Sequence, residues 1–432
     1  MMLKQKKHFF FLFSLLNISV LAQTEVDYVN AFVYDNAVYK NNIKTVQLNR
    51  IGYEFSYPII RLNSDDKLLL QFDDLDVTIR QYSYTIIHCN ANWEPTNISP
   101  SDYIDGYRSQ IIADYKYSFN TFTQYLHYKL EFPTEVLKPI KSGNYILKVF
   151  LDDDEDKIVL SRRFMVVDEK ISISATVNQA TDVAFRKFKQ EIDFDINLGS
   201  YEVGNPYDDI EVVILQNFRF DNACKKLKPQ FVNNNLLTYN YEEENTFWGG
   251  NEYRFFDTRN LKYKTQEIAS IDFDDKKNYH IRLMPDEKRS YKKYFSNNDL
   301  NGSYSIRVEG SNEPELDAEY VNVHFTLNNP YPEENGNYYV FGELSDWQCK
   351  ENFRLKFDAQ QKAYTLKTTL KQGYYNFNYA FKSNSDNIID EMTVEGSHSE
   401  TENDYIILVY HTTIGKFHQQ LIGFSRINSV KK

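Results

Sequence analysis

Short apolar or alternating runs, broken every few residues by Asn, Asp, Gly and Pro, recur along this chain. Lys67–Asp73, Tyr82–Cys89, Tyr145–Asp152, Ile158–Asp168, Ile210–Asn217 and Tyr405–His411 are the clearest. Side chains alternate across a strand, so such runs bury one or both faces of a sheet. The three-to-four spacing of long amphipathic helices is almost absent. With 34 Tyr and 31 Phe in 432 residues, the chain is rich in side chains that suit a pleated, half-buried surface. Regular short strands with turn residues between them predict β-sandwiches, and this length accommodates about two to four domains.

A repeat sharpens that expectation. Ser142–Val167 and Asn301–Leu327 both read Gly-x-Tyr, an alternating strand, an acidic turn and a returning strand. The pattern fits the last hairpin of an immunoglobulin-like sandwich. Tyr145 and Tyr304 would bond back to the backbone as corner tyrosines, and Gly143 and Gly302 would permit the close approach. The acidic turns are expected as solvated tips. A weaker copy, Gln372–Ser383 followed by Tyr405–Thr413, gives a third unit. The predicted fold is all-β: three tandem immunoglobulin-like β-sandwich domains after a signal peptide. The boundaries are 1–22 for the leader, 23–167, 168–330 and 331–432, with Asn328–Gly336 as the clearest linker.

The leader is read from Lys4, Lys6 and Lys7, the apolar Phe9–Leu16, and the small Val20 and Ala22 before a cut at Gln23. No cysteine follows the cut, so no lipid anchor is expected. Removing three lysines and no acid takes the net charge from −12 to −15. No continuous basic run remains, which argues against nucleic acid and an anionic membrane surface. No later apolar run is long enough for a spanning helix, so no direct membrane insertion is expected. Cys89, Cys224 and Cys349 are widely spaced and odd in number; at most one bridge can form, and three buried free thiols are expected.

Candidate chemistry is sparse. His88, Cys89 and Asn90 are the residue types of a cysteine protease, but neighbours on a strand point to opposite faces and cannot share a proton. Asp73, Asp74 and Asp76 suit a strand-to-turn transition. The runs Glu242–Glu244 and Asp272–Asp275 read as solvated, and His280 and His324 stand alone in sequence. No catalytic residue, metal ligand, cofactor or small-molecule ligand is expected. Binding is the better expectation. Two prolines stiffen the loop that follows Asn90, and large aromatics on a stiff loop make interface anchors. Trp93, Pro100, Tyr103 and Tyr107 are therefore candidate partner contacts, with Trp248 in the middle domain; the competing expectation is a loop that folds back and packs its own aromatics, and for Trp248 a local aromatic cluster.

Three long segments, Gln47–Asp76, Tyr84–Tyr107 and Asp114–Pro133, together with Lys141–Phe150, resemble the first domain of the type IX secretion plug family of Bacteroidota. Glu395–His411 and Leu421–Phe424 resemble the last domain of that family. The resemblance implies a non-enzymatic periplasmic protein at the inner face of the outer membrane. It would bind the periplasmic mouth of the large outer-membrane β-barrel translocon and close it while no cargo passes. The family supplies no catalytic residues.

Tyr339–Trp347 and Leu355–Phe381 also resemble glycogen-binding-type immunoglobulin-like modules, in which the Trp after the turn stacks on sugar. That resemblance implies an alternative, a periplasmic carbohydrate-binding protein using Trp347. Two departures weigh against it. The later loop Ser383–Asp390 lacks a second Trp, and Asn378 stands where the modules carry a lysine.

Overall fold

The computed structural model describes residues 31–430 except 386–387, 413–414 and 416–417. The leader expected at 1–22 lies outside the described residues. Nearly all regular structure is β-strand, with short helical turns such as Pro100–Tyr103 and Pro314–Asp317. The strands form pairs of facing sheets around three separate apolar cores.

The first core is continuous in sequence. One sheet joins Tyr82–Cys89, Gly143–Leu151 and Asp154–Val167, and the facing sheet joins Ile43–Arg50, Leu68–Asp74, Leu126–Phe132 and Asp114–Tyr117. Phe72, Tyr82, Tyr128, Tyr145 and Phe164 are buried between them. The repeat expected at Ser142–Val167 is an antiparallel hairpin, Gly143 opposite Val166. The Tyr145 hydroxyl donates to the Lys141 carbonyl at 2.8 Å, closing the corner.

The second and third cores depart from the boundaries read in the sequence. Ser172–Gln179, Lys189–Asn197 and Ile210–Gln216 begin the second core, but its second sheet is completed by Asp404–His411 and Gln420–Asn428. Ile210 lies opposite His411, and Gln216 opposite Tyr405. The third core, from Phe256 to Val394, is built entirely from the chain between these halves. The division at 331 therefore falls inside one core. Leu327 and Tyr338 bracket the expected linker and are buried together. Strand pairing across long sequence separations decided this, and the local Asn/Pro/Gly content at 328–336 could not show it.

The second repeat is also corrected. Tyr304–Ile306 does not pair with the returning strand Tyr320–Asn328. It pairs with Gly373–Ser383 in the opposite sheet. The corner bond is made instead by Tyr375, whose hydroxyl donates to the Lys371 carbonyl, again four residues back. Tyr304 stacks on Tyr375 at 5.1 Å. The acidic turn that should have been a solvated tip is the Pro314–Asp317 helical turn, and it docks on the first core. Glu313 and Glu315 pair with Lys116 and Lys129 at 2.9 and 2.5 Å.

Under that contact lies a buried ion pair. Asp73, from the first core, meets Lys371, from the third, at 2.6 Å, each side chain only 1% exposed. His127 and Tyr320 approach the same carboxylate at 2.6 and 2.7 Å. The Lys371 ammonium also donates to the Glu315 carbonyl and sits 4.0 Å from the Tyr125 ring centre. Burial raises the Asp73 carboxyl, but Lys371 and His127 overcome it and hold it below its ordinary value. That depression contributes stability above about pH 4, which is lost as acid protonates the carboxylate. Lys371→Met should destabilise the chain by about 3–5 kcal/mol, because it strands a buried carboxylate. Asp73→Asn in the same chain should recover a large part of the loss. Urea unfolding of the three proteins measures both.

Candidate partner-binding site

The opening aromatic loop does not stand free. A turn with Trp93 at φ 65° folds its indole back, leaving it only 4% exposed. The Arg163 guanidinium lies 4.5 Å from the indole centre, and Phe220 of the second core meets it edge-on at 5.3 Å. Tyr103 ends the short helix begun by Pro100 and is buried beside His88 and Tyr145. Trp93 and Tyr103 are thus packing residues, and Trp93 bridges two cores. Pro100 is half-buried. Tyr107 is 66% exposed and Trp248 39% exposed, so these two of the expected contacts can reach a partner.

His88 and Cys89 form no catalytic pair. His88 faces Thr96 and the Ser142 carbonyl at 2.9 and 3.2 Å. A Cβ on Gly143 would lie 2.5 Å from the His88 ring nitrogen, so this glycine makes room for the imidazole. Burial pushes the Cys89 thiol up to about 12, and likewise Cys224 and Cys349. All three are free thiols, but only Cys89 is buried as expected; Cys224 and Cys349 are half-buried. His280 and His324, alone in sequence, meet at 3.0 Å across paired strands, with Asp274 3.1 Å from His280. Among the described residues no cluster of His, Cys, Asp or Glu has the arrangement of a metal site.

The three cores meet around a cavity of about 490 Å³. Tyr57 and Arg163 line it from the first, Phe218 and Lys225 from the second, Glu343 and Trp347 from the third. The walls are joined in every pairing. Tyr57 stacks on Phe218 at 4.6 Å. Arg162 pairs with Asp346 at 3.3 Å. Arg219 pairs with Asp221 at 2.7 Å and with Glu391 of the third core, and lies 5.1 Å from the Trp347 ring centre. Trp347 also meets Tyr253 and Phe341 edge-on. A Cβ on Gly302 would lie 2.2 Å from its ring. The Trp347 indole, a sugar-stacking candidate only on the alternative reading, is a wedge between cores, occupied by protein groups. Sequence reasoning missed this junction because its members are scattered from Asp35 to Ile389.

The geometry defines a rigid all-β protein whose cores are locked to one another. The chain covers the whole of a hypothetical protein from Parabacteroides merdae of known crystal structure, with 31% identity over 92% of this chain and a TM-score of 0.89. The chain belongs to the same family as that protein, and its residues 43–168 match the family of the type 9 secretion system plug protein first domain. That family is a plug domain, which gives this part of the chain a non-enzymatic character. Dimeric latent PorU from Porphyromonas gingivalis aligns at 12% identity and a TM-score of 0.14, covering 90% of this chain and 34% of PorU, a likeness that carries no argument. Among the curated proteins none matches.

One junction carboxyl sets a pH dependence. Burial pushes Glu343 up to about 7, against the Tyr304 N–H that donates to it at 3.2 Å. Between the ordinary glutamate value and about 7, the folded chain holds a proton that the unfolded chain has lost, so stability falls as pH rises through that window. Glu343→Gln should raise the thermal midpoint at about pH 8, with the gain shrinking toward about pH 5. Melting curves across that range check it.

Proposed function

We propose that the chain is a periplasmic plug. It binds the periplasmic mouth of the large outer-membrane β-barrel translocon of the type IX secretion system and closes it by obstruction. The observation that carries this reading is the match of residues 43–168 to the plug first-domain family. Among the described residues no helix is long and apolar enough to cross a membrane. We read the three two-sheet cores as immunoglobulin-like sandwiches, the third inserted between the halves of the second.

The physical requirements of a plug fit the body described. A pore is sealed by an object that does not deform, and ion pairs and aromatic wedges join every pair of cores here. A stable seal buries on the order of 1,200 Å² or more. Release requires the open, cargo-loaded translocon to bind the plug less well than the resting one. Obstruction asks for no bond-making chemistry, in keeping with the raised thiols and the protein-bound imidazole of His88.

The chain without its leader, immobilised and exposed to detergent-solubilised outer membranes, should retain a very large barrel protein. That barrel, reconstituted in a planar bilayer, should conduct less when the chain is added at saturation. Unchanged conductance would sink the reading. Tyr107→Ala should weaken retention without changing the melting temperature. Trp93→Ala should instead lower the melting temperature, since it empties a buried space of the kind whose truncation costs about 3–5 kcal/mol.

A further inference from the structure

The net charge of −12 hides a local reversal. Two segments, Val183–Lys189 and Lys288–Phe295, interleave aromatics with Lys and Arg, and they lie a hundred residues apart in the chain. The fold brings both to one turn, Gly396–Glu400. The Ser399 N–H donates to the Lys187 carbonyl at 3.0 Å and the Ser397 hydroxyl to the Phe188 carbonyl at 2.6 Å. On the other flank, Tyr294 packs on His398 at 5.4 Å, and its hydroxyl is shared between the Glu252 carboxylate and the Glu400 carbonyl. Gly249 seats the same turn, because a Cβ there would lie 2.0 Å from the His398 carbonyl oxygen.

The side chains left at the surface are amphiphilic. Val183 is 76% exposed and Phe295 80%, and Phe185, Phe188, Trp248 and Tyr291 are exposed as well. Arg186, Lys187 and Lys293 are exposed cations, and the Lys189 ammonium lies between the Phe185 and Trp248 rings at 4.5 and 5.0 Å. Much of the neighbouring acid is already engaged. Glu395 holds Arg254 and Arg289, Glu287 holds Lys292, and Glu191 accepts from Thr181. Asp182 accepts from the Ala184 N–H, and Glu400 stands at the rim.

We propose that this basic-aromatic surface docks on an anionic phospholipid headgroup layer, with the rings entering the interface and the cations pairing with phosphates. Charge complementarity selects the occupant. Trp, Tyr and Phe beside Lys and Arg are the composition of a membrane interface. The centre of a protein–protein interface is depleted in lysine, whereas here lysines alternate with the rings. The association is peripheral and needs no spanning segment. It runs against the expectation, drawn from the whole-chain charge, that an anionic surface would be avoided. The inference goes beyond the plug reading and stands without it.

The test uses the chain from Gln23 onward and protein-free vesicles, either pure phosphatidylcholine or an equal mixture with phosphatidylglycerol. The chain should float with the mixed vesicles and remain behind with the neutral ones, and added salt should release it. Trp248 is the exposed one of three tryptophans, so emission should shift to the blue on binding, and Trp248→Phe should abolish the shift. Each basic side chain near an anionic surface contributes about a fivefold gain in affinity. Reversing Arg186, Lys187 and Lys293 to Glu should therefore lower vesicle affinity by well over about tenfold. Val183→Ser with Phe295→Ser should lower it without changing the salt dependence. All these positions are exposed, and an unchanged melting curve for each variant confirms that it folds. Failure to float with mixed vesicles, equal flotation with neutral ones, or full affinity in the charge-reversed chain overturns the proposal. If the chain ignores vesicles while charge reversal weakens capture of the barrel protein, the surface is a protein interface and the lipid assignment falls.

Discussion

The pairing of Asp73 with Lys371 is the contact on which the arrangement of the cores depends. Two opposite charges, each 1% exposed, are expensive to bury and stay buried only while they remain together. One belongs to the first core and the other to the third, so the two cores cannot slide or part without stranding a charge. The carboxylate also takes Tyr320 and His127, and the lysine takes a carbonyl and an aromatic face. Such a network fixes one geometry rather than a family of loose ones. The Pro314–Asp317 turn above it, tied by Lys116 and Lys129, screens the pair from water.

The other junctions follow a softer logic. Trp93, Phe218, Phe220 and Trp347 are wedges; arginines lie over the rings of Trp93, Phe220 and Trp347, and Tyr57 stacks on Phe218. Guanidinium groups stack on aromatic faces and pair with carboxylates at the same time. Arg163 and Arg219 do both at the meeting of the cores. The central cavity is what remains where three convex bodies cannot fill space completely. Buried carboxyls at its edge, Glu343 above all, make the junction tighter in mild acid than in mild base.

Two surfaces of this body are candidates for contact outside the chain. Tyr107 stands on the first core, the part that matches the plug domain. The basic-aromatic turn around Gly396–Glu400 lies where the second and third cores meet. A plug that must find the mouth of a membrane-embedded barrel gains from an affinity for the surrounding lipid, because search along a surface replaces search through a volume. The two surfaces would then serve successive steps, approach and closure.

Much of the molecule was legible in the residues themselves. Alternation, aromatic content and turn residues specify strands, because side-chain direction in a strand has a period of two and reports burial locally. The corner at Lys141–Tyr145 was legible for the same reason. The exposed Tyr107 and Trp248 were found by residue type, but so were Trp93 and Tyr103, which are buried, since an aromatic on a stiff loop looks alike in sequence whether it faces a partner or its own core. Sequence determined that this chain is all-β and that its first domain belongs with a plug family. Only the tertiary structure decided that Asp404–Asn428 completes a sheet begun at Ile210, that Tyr375 rather than Tyr304 makes the second corner, that Asp73 is a buried lock, and that scattered lysines form one surface. Each of these rests on pairing between distant residues, and the free energy of such contacts is a property of three-dimensional proximity that no local pattern encodes.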